Sequence, residues 1–206
     1  MLTGRKIAEC IHLAALGIWL GALLMGGGTA AYIFPAMKNE LQPTLPAYSA
    51  FPEPHGVIAG GYVGEFVFLV LDITGFLALF VAIISLVAAG VYRMSLRRIS
   101  TMVRAGFLGM AMIAVAYQIL AVAPQMREHL LAFREAARLG NVELAMQSRE
   151  AFAAMHPLST RVLGMTALCV LGAFITGVWS ACTGSSTKPL PDAPMLEDPA
   201  LLTTPL

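Results

Sequence analysis

Ionisable side chains inside long apolar stretches are the strongest chemical signal in this sequence. Asp72 lies inside the apolar run 63–92, and Glu65 precedes it by seven residues, which places both carboxylates on the same face of a helix. A carboxylate in the hydrocarbon core of a membrane costs about 2.5–3.5 kcal/mol on insertion scales, so Asp72 should face other helices and find a partner there. Either Asp72 fixes helix packing as a polar clamp, or it is the centre of a proton or cation pathway.

The partners predicted for these carboxylates follow from the depth of other polar residues. Arg161, near the start of the last apolar run, lies at the depth of Glu65, and the pattern predicts an ion pair between the two. Asp72 is expected to be protonated, or to be held by Tyr117 and Gln118 of the third apolar run, which lie at a similar depth.

The four histidines separate by depth into one and three. His12 lies near the start of the first apolar run, where the interpretation is a hydrogen-bonded core histidine. His55, His129 and His156 all fall at the opposite end of the apolar runs. They could converge on copper or on a haem iron, because neutral imidazole is a good ligand. Their spacing matches no local ligand motif, so interfacial or capping roles are the alternative, and His156 is the strongest individual candidate.

These residues belong to a chain with the composition of an integral membrane protein. Of its 206 residues, 58% are hydrophobic and 12% are charged, whereas a soluble domain has about 25% charged residues. The composition excludes a disordered chain and a disulfide-stapled secreted module. The net charge of +1 gives no overall basic field that would gather nucleic acid.

Four apolar runs predict the architecture. None shows the two-residue alternation of a membrane β-strand, and helices satisfy their own backbone hydrogen bonds in lipid. We therefore predict an all-α integral membrane four-helix bundle over residues 1–182, followed by a Pro-rich tail over residues 183–206. The predicted spans are 7–34, 63–92, 105–123 and 160–181.

Two segments are expected between the spans on one side of the bundle. Residues 36–62 contain four prolines and predict an irregular loop. Residues 124–157 predict an amphipathic helical hairpin between spans three and four, resting on the bundle or the membrane surface. Its first helix should end at Gly140-Asn141, and its second should run from Val142 to Met155 and break at His156-Pro157.

Basic residues predict the orientation of the spans. Short loops rich in Lys and Arg stay in the cytoplasm, and the basic residues between spans two and three lie on the same side as those before span one. We therefore predict cytoplasmic N- and C-termini in a multi-pass protein of the cell membrane, the bacterial inner membrane. The residues are Arg5, Lys6, Arg93, Arg97, Arg98 and Arg104.

Two motifs resemble a known family. The first span reads His12-Leu-Ala-Ala-Leu-Gly-Ile-Trp19-Leu-Gly21, and Phe152-Ala-Ala-Met-His156-Pro-Leu158-Ser159 precedes the last span. Over roughly residues 7–181 the chain resembles the transmembrane protein 205-like family of eukaryotes and its bacterial four-helix relatives. The resemblance implies a membrane protein without established catalysis, connected in eukaryotes with resistance to metal-containing drugs. The positions that it carries over are His12, Trp19, His156 and Ser159. A weaker similarity is to copper-resistance membrane proteins.

The sequence contains no nucleophile elbow, no His-Glu-x-x-His motif and no Walker motif. We therefore predict a non-enzymatic multi-pass membrane protein that acts as an accessory or structural subunit of a membrane complex. Its expected partners are the lipid bilayer and other membrane subunits or further copies of itself, with no nucleic acid. The alternatives are a haem- or copper-binding membrane protein that uses the three histidines, and a small transporter or proton pathway centred on Asp72.

Overall fold

The computed structural model describes residues 2–91 and 99–183 of the chain. Every regular element in these two ranges is helical, and four helices are long and apolar enough to cross a membrane. The all-α prediction and the count of four apolar helices are therefore confirmed. The predictions that rest on Arg93, Arg97 and Arg98, and on the tail from residue 184 onward, lie outside the described residues.

Five α-helices form the described chain, and two of them are extended by π-helical turns. The π-helical turns follow α1 and α3, and one short 3-10 helix lies in the loop before α2. In chain order the helices are α1 (Leu2–Pro35), its π-helical turn (Ala36–Leu41), the 3-10 helix (Pro46–Tyr48), α2 (Gly56–Val91), α3 (Ile99–Tyr117), its π-helical turn (Gln118–Val122), α4 (Ala123–Arg138) and α5 (Val142–Thr183).

The helices run further than the apolar stretches predicted. The irregular loop covers residues 42–55 rather than 36–62. The break predicted at His156-Pro157 is wrong, because α5 continues through Pro157. A proline removes one backbone donor and crowds the carbonyl four residues before it, which can bend a helix without ending it, and the alanine-rich turn Ala151–Met155 before it has high helix propensity.

The turn between α4 and α5 agrees with the sequence pattern. Gly140 adopts φ +71°, a left-handed conformation that costs glycine nothing because it has no Cβ. Asn141 then caps α5, since its side-chain oxygen accepts a hydrogen bond of 3.1 Å from the Leu144 amide. The predicted helix stop at Gly140-Asn141 is confirmed.

A π-helical turn joins α3 to α4 without a break. Pro124, in the first turn of α4, has no N–H to donate, so one bond of the regular ladder is missing there. The Ala123 amide instead bonds the Gln118 carbonyl five residues earlier. The third span and the first helix of the hairpin are thus one helical run whose register changes at Gln118.

Exposed apolar side chains mark which part of the bundle suits lipid. On α2 they extend from Phe66 to Val87, about 32 Å at 1.5 Å per residue, close to the thickness of about 30 Å of a hydrocarbon core. We call this zone the apolar belt. The 42 residues of α5 extend over about 63 Å, so about half of that helix lies outside the belt.

The part beyond the belt, which we call the head, has its own hydrophobic core. It consists of loop 42–55, residues 56–62 of α2, all of α4, the turn 139–141 and residues 142–157 of α5. Two layers face each other there, the loop with the start of α2 on one side and the α4–α5 hairpin on the other. The buried residues of the head core are Tyr48, Phe51, Ile58, Phe133, Ala136, Ala137 and Ala145.

Within the belt, α1 packs against α2 and α5, and α5 packs against α3. The two outer members, α2 and α3, make little contact with each other. Trp19, Leu16 and Val170 are fully buried at the centre. The end of the bundle that carries the head is called the head end below, and the end that carries residues 2–12, 85–91, 99–104 and 175–183 is the terminal end.

Candidate functional site

All four belt helices contribute to one small cavity, and Asp72 is on its wall. The cavity has a volume of about 30 Å³, and its lining is apolar except for a few side chains. The polar members are Asp72 from α2, Gln118 from the π-helical turn and Thr166 from α5, with the indole of Trp19 from α1. Residues distant in the sequence are therefore brought together inside the belt.

Hydrogen bonds leave this cavity rich in acceptors. The Gln118 amide nitrogen donates to Ser159 Oγ at 3.1 Å, which holds the amide in one orientation and leaves Gln118 Oε1 buried without a partner. Thr166 Oγ1 donates its proton to the Val162 carbonyl at 2.9 Å, so only its lone pairs remain. Within the described residues, no ion pair includes Asp72. Such a site suits a ligand that donates hydrogen bonds or carries positive charge.

Of the two partners predicted for Asp72, one lies beside it and the other does not. Gln118 lines the same cavity, whereas Tyr117 is exposed and is not part of the lining. Neighbouring residues of a helix lie about 100° apart around its axis, so Gln118 faces the bundle while Tyr117 faces outward. Single π-helical turns such as the one at Gln118–Val122 are often found at functional positions of helices.

Glu65 finds a different partner from the one predicted. Arg134 of α4 donates to Glu65 at 2.7 Å, and its guanidinium lies over the Tyr62 ring, 3.9 Å from the ring centroid. The predicted pair of Glu65 with Arg161 is wrong, since Arg161 is exposed on α5. Depth along a helix does not specify rotation about its axis, and α5 turns Arg161 outward.

Two tyrosines continue this contact from Arg134 into the head. The hydroxyl groups of Tyr48 and Tyr62 are 2.8 Å apart, and the Tyr62 ring is the one under the Arg134 guanidinium. Burial, followed by the hydrogen bond with Tyr62, raises the pKa of Tyr48 to about 12. Three successive contacts therefore run from Glu65 of α2 into the head: an ion pair, a cation–π contact and a hydrogen bond.

A second polar cluster lies at the terminal end. His12 Nδ1 donates to the Ala82 carbonyl at 2.9 Å, which confirms the core-histidine interpretation, and its Nε2 has no partner. Arg104 is 0% exposed and donates to Glu9 at 2.6 Å. Sequence reasoning grouped Arg104 with the loop arginines and missed this pair, although Glu9 was the one acidic residue in the first apolar run.

The three remaining histidines stay apart. His55 uses both ring nitrogens within its own loop: Nδ1 accepts from the Leu45 amide at 2.9 Å, and Nε2 donates to the Phe51 carbonyl at 3.3 Å. His156 is exposed on α5, and His129 is half-buried on α4. Over residues 2–91 and 99–183, no three His, Cys, Asp or Glu side chains are grouped so that they could hold a metal ion. The predicted convergence on copper or haem iron is therefore not formed.

The positions carried over by the family resemblance fall at three places. Trp19 lines the Asp72 cavity, and Ser159 anchors Gln118 beside it. His12 belongs to the cluster at the terminal end, and His156 stands outside the bundle. Half of the carried-over positions thus support the cavity.

No protein-family model matches this chain, and searches of the curated proteins and of the solved structures give no significant match. The resemblance to the transmembrane protein 205-like family stays a prediction.

Proposed function

We propose that this chain is a non-catalytic, multi-pass membrane protein that acts as an accessory subunit of a membrane complex. The head is the part that meets the partner. The observation that carries this proposal is a second hydrophobic core outside the apolar belt, fixed to the bundle by the Glu65–Arg134 ion pair.

A fixed head favours recognition of a protein partner, because a surface held in one conformation loses little conformational entropy when it binds. The hydrogen bond between Tyr48 and Tyr62 adds to this rigidity. Three leucines of the head are exposed although they lie outside the belt, where lipid would not cover them: Leu131, Leu139 and Leu144. They offer apolar contact to a neighbouring subunit.

We further propose the bacterial inner membrane as the location, with both termini in the cytoplasm. The density of arginines between α2 and α3 supports this orientation. To test this orientation, a fluorescent reporter that matures only in the cytoplasm would be fused to the C-terminus, where we expect it to fluoresce. A reporter that is active only on the outer side should be silent at the same position.

A photo-crosslinking amino acid at the tip of the head tests the partner. We would place it at Leu139 in the head and, as a control, at Leu77 in the belt, both of which are exposed. The full chain would be crosslinked in its native membrane and separated on native gels in mild detergent. We expect a discrete adduct from Leu139 that Leu77 does not give.

A pair of arginine substitutions then links that adduct to the head. Arg134→Met removes the tie to Glu65, whereas Arg127→Met makes the same chemical change at an exposed position of the same helix. We expect Arg134→Met to lose the adduct and Arg127→Met to keep it. Migration at the monomer mass without an adduct contradicts the proposal, and so does a complex made only of copies of this chain.

A further inference from the structure

The Asp72 cavity lies within the apolar belt and is lined by residues from all four helical runs that cross it. Asp72 is six residues from Phe66, the first exposed apolar residue of the belt on α2, so it is about 9 Å inside the belt. At that depth bulk water does not solvate a carboxylate, and the charge must be neutralised or compensated by what binds next to it.

No side chain in the cavity provides that compensation. Asp72 is the only ionisable group among the lining residues. The other ionisable groups on the surrounding helices lie outside the lining; among them are His12 on α1, Glu65 on α2, Tyr117 on α3 and Arg161 on α5, the last of which is exposed. The compensating charge therefore has to come from a ligand.

The free hydrogen-bond acceptors of the cavity are oxygens. They are the Asp72 carboxylate, the unpartnered Gln118 Oε1, and the lone pairs of Thr166 Oγ1, whose proton is already donated. Oxygen ligands of this kind suit hard cations. A volume of about 30 Å³ holds a small ion with a water, since one water needs about 10–15 Å³, and it excludes an organic ligand of about 300 Å³ or more.

We propose that this cavity binds one small monovalent cation, either as a proton on Asp72 or as Na⁺ held by Asp72, Gln118 Oε1 and Thr166 Oγ1. The weakly packed side of the bundle between α2 and α3 is the route of entry, because these two helices make little contact. The proposal does not depend on the partner proposed above, since a chain that binds no other subunit would keep the cavity.

The two tryptophans of the chain allow a direct measurement. Trp19 lines the cavity and is 1% exposed, whereas Trp179 is 69% exposed on α5. Trp179→Phe leaves Trp19 as the single tryptophan reporter beside Asp72. The full-length protein in lipid nanodiscs would be titrated with NaCl and with KCl at constant ionic strength, and then from about pH 5 to about pH 9 in each salt.

The two titrations distinguish the two sources of charge. A saturable change in Trp19 emission with Na⁺ but not with K⁺ identifies sodium. A pH-dependent change with the same midpoint in both salts identifies the proton. Asp72→Asn is expected to abolish either response, and Thr74→Val, on the same helix but outside the lining, is expected to keep it.

Two further variants keep the proposal testable if Asp72→Asn does not fold. Thr166→Val removes one oxygen with little change of shape, and it should weaken the sodium response by about tenfold or more while leaving a proton response in place. Gln118→Met removes the unpartnered oxygen, and either response should shift. Trp19 emission that is unchanged in both titrations, or a response of equal size in Asp72→Asn, would overturn the proposal and leave the cavity to water alone.

Discussion

Neutralising Glu9 is expected to be among the most damaging changes of a single charge in this protein. Arg104 is 0% exposed, and the Glu9 side chain that it contacts is 14% exposed. The Nε and Nη2 atoms of Arg104 have no partner, so no other group in the described residues compensates its charge. Breaking a buried ion pair from one side costs about 3–5 kcal/mol, because it leaves an unpaired buried charge. Glu9→Gln should therefore lower the unfolding free energy by about that amount.

Thermal unfolding of the purified protein in detergent gives the measurement. For a chain of this length about 1 kcal/mol corresponds to about 2–4 °C, so Glu9→Gln should lower the midpoint by about 6–20 °C. The matched control is Glu135→Gln, which breaks the ion pair with Arg138 on the surface of α4, where the two side chains are 56% and 59% exposed. An exposed pair contributes about 0.2–1 kcal/mol, so its midpoint should fall by less than about 4 °C.

A double variant separates two effects: the loss of the ion pair itself and the cost of leaving the buried charge of Arg104 without a partner. Replacing Glu9 and Arg104 together by Met removes both charges, and it should recover most of the loss seen in Glu9→Gln, since apolar replacements of buried pairs are often neutral. The reasoning is refuted if Glu9→Gln costs no more than Glu135→Gln. It is also refuted if the double variant is as unstable as Glu9→Gln alone.

Two other changes follow from close packing and from the head. Gly172→Ala should destabilise by about 1–3 kcal/mol, because its Cβ would lie 2.7 Å from the Phe107 ring. Gly164→Ala on the same helix meets nothing within 4 Å and should be neutral or stabilising in the same melts; equal losses would contradict this. Tyr48 should ionise near its raised pKa of about 12 in ultraviolet titrations, and Tyr62→Phe should lower that midpoint because it removes a hydrogen bond. The folded-state pKa of Tyr48 is above the unfolded value of about 10. Its contribution to the unfolding free energy is therefore fully present below about pH 10 and is lost as the pH rises toward 12. An unfolding free energy that rises in that pH range would contradict the assignment.

Local sequence determined the helices and the turn at Gly140. Long apolar runs specify helices because each helix satisfies its own backbone hydrogen bonds, whatever its neighbours do. The helix stop at Gly140-Asn141 needs only the left-handed freedom of glycine and the side-chain cap of asparagine. The expectation that Pro157 breaks α5 failed because a proline can bend a helix without ending it, and the other backbone hydrogen bonds of this 42-residue helix remain.

The tertiary structure decided which partner each polar side chain has. Arg134 rather than Arg161 contacts Glu65, and Arg104 is buried rather than part of a charged loop. These outcomes depend on the rotation and register of each helix, which bring Gln118 to the cavity that Asp72 also lines. Rotation and register follow from how four helices pack together, so residues far apart in the sequence fix them jointly. Composition and periodicity report only whether a segment is a helix and how apolar it is, and they carry no information on the side that faces a given neighbour.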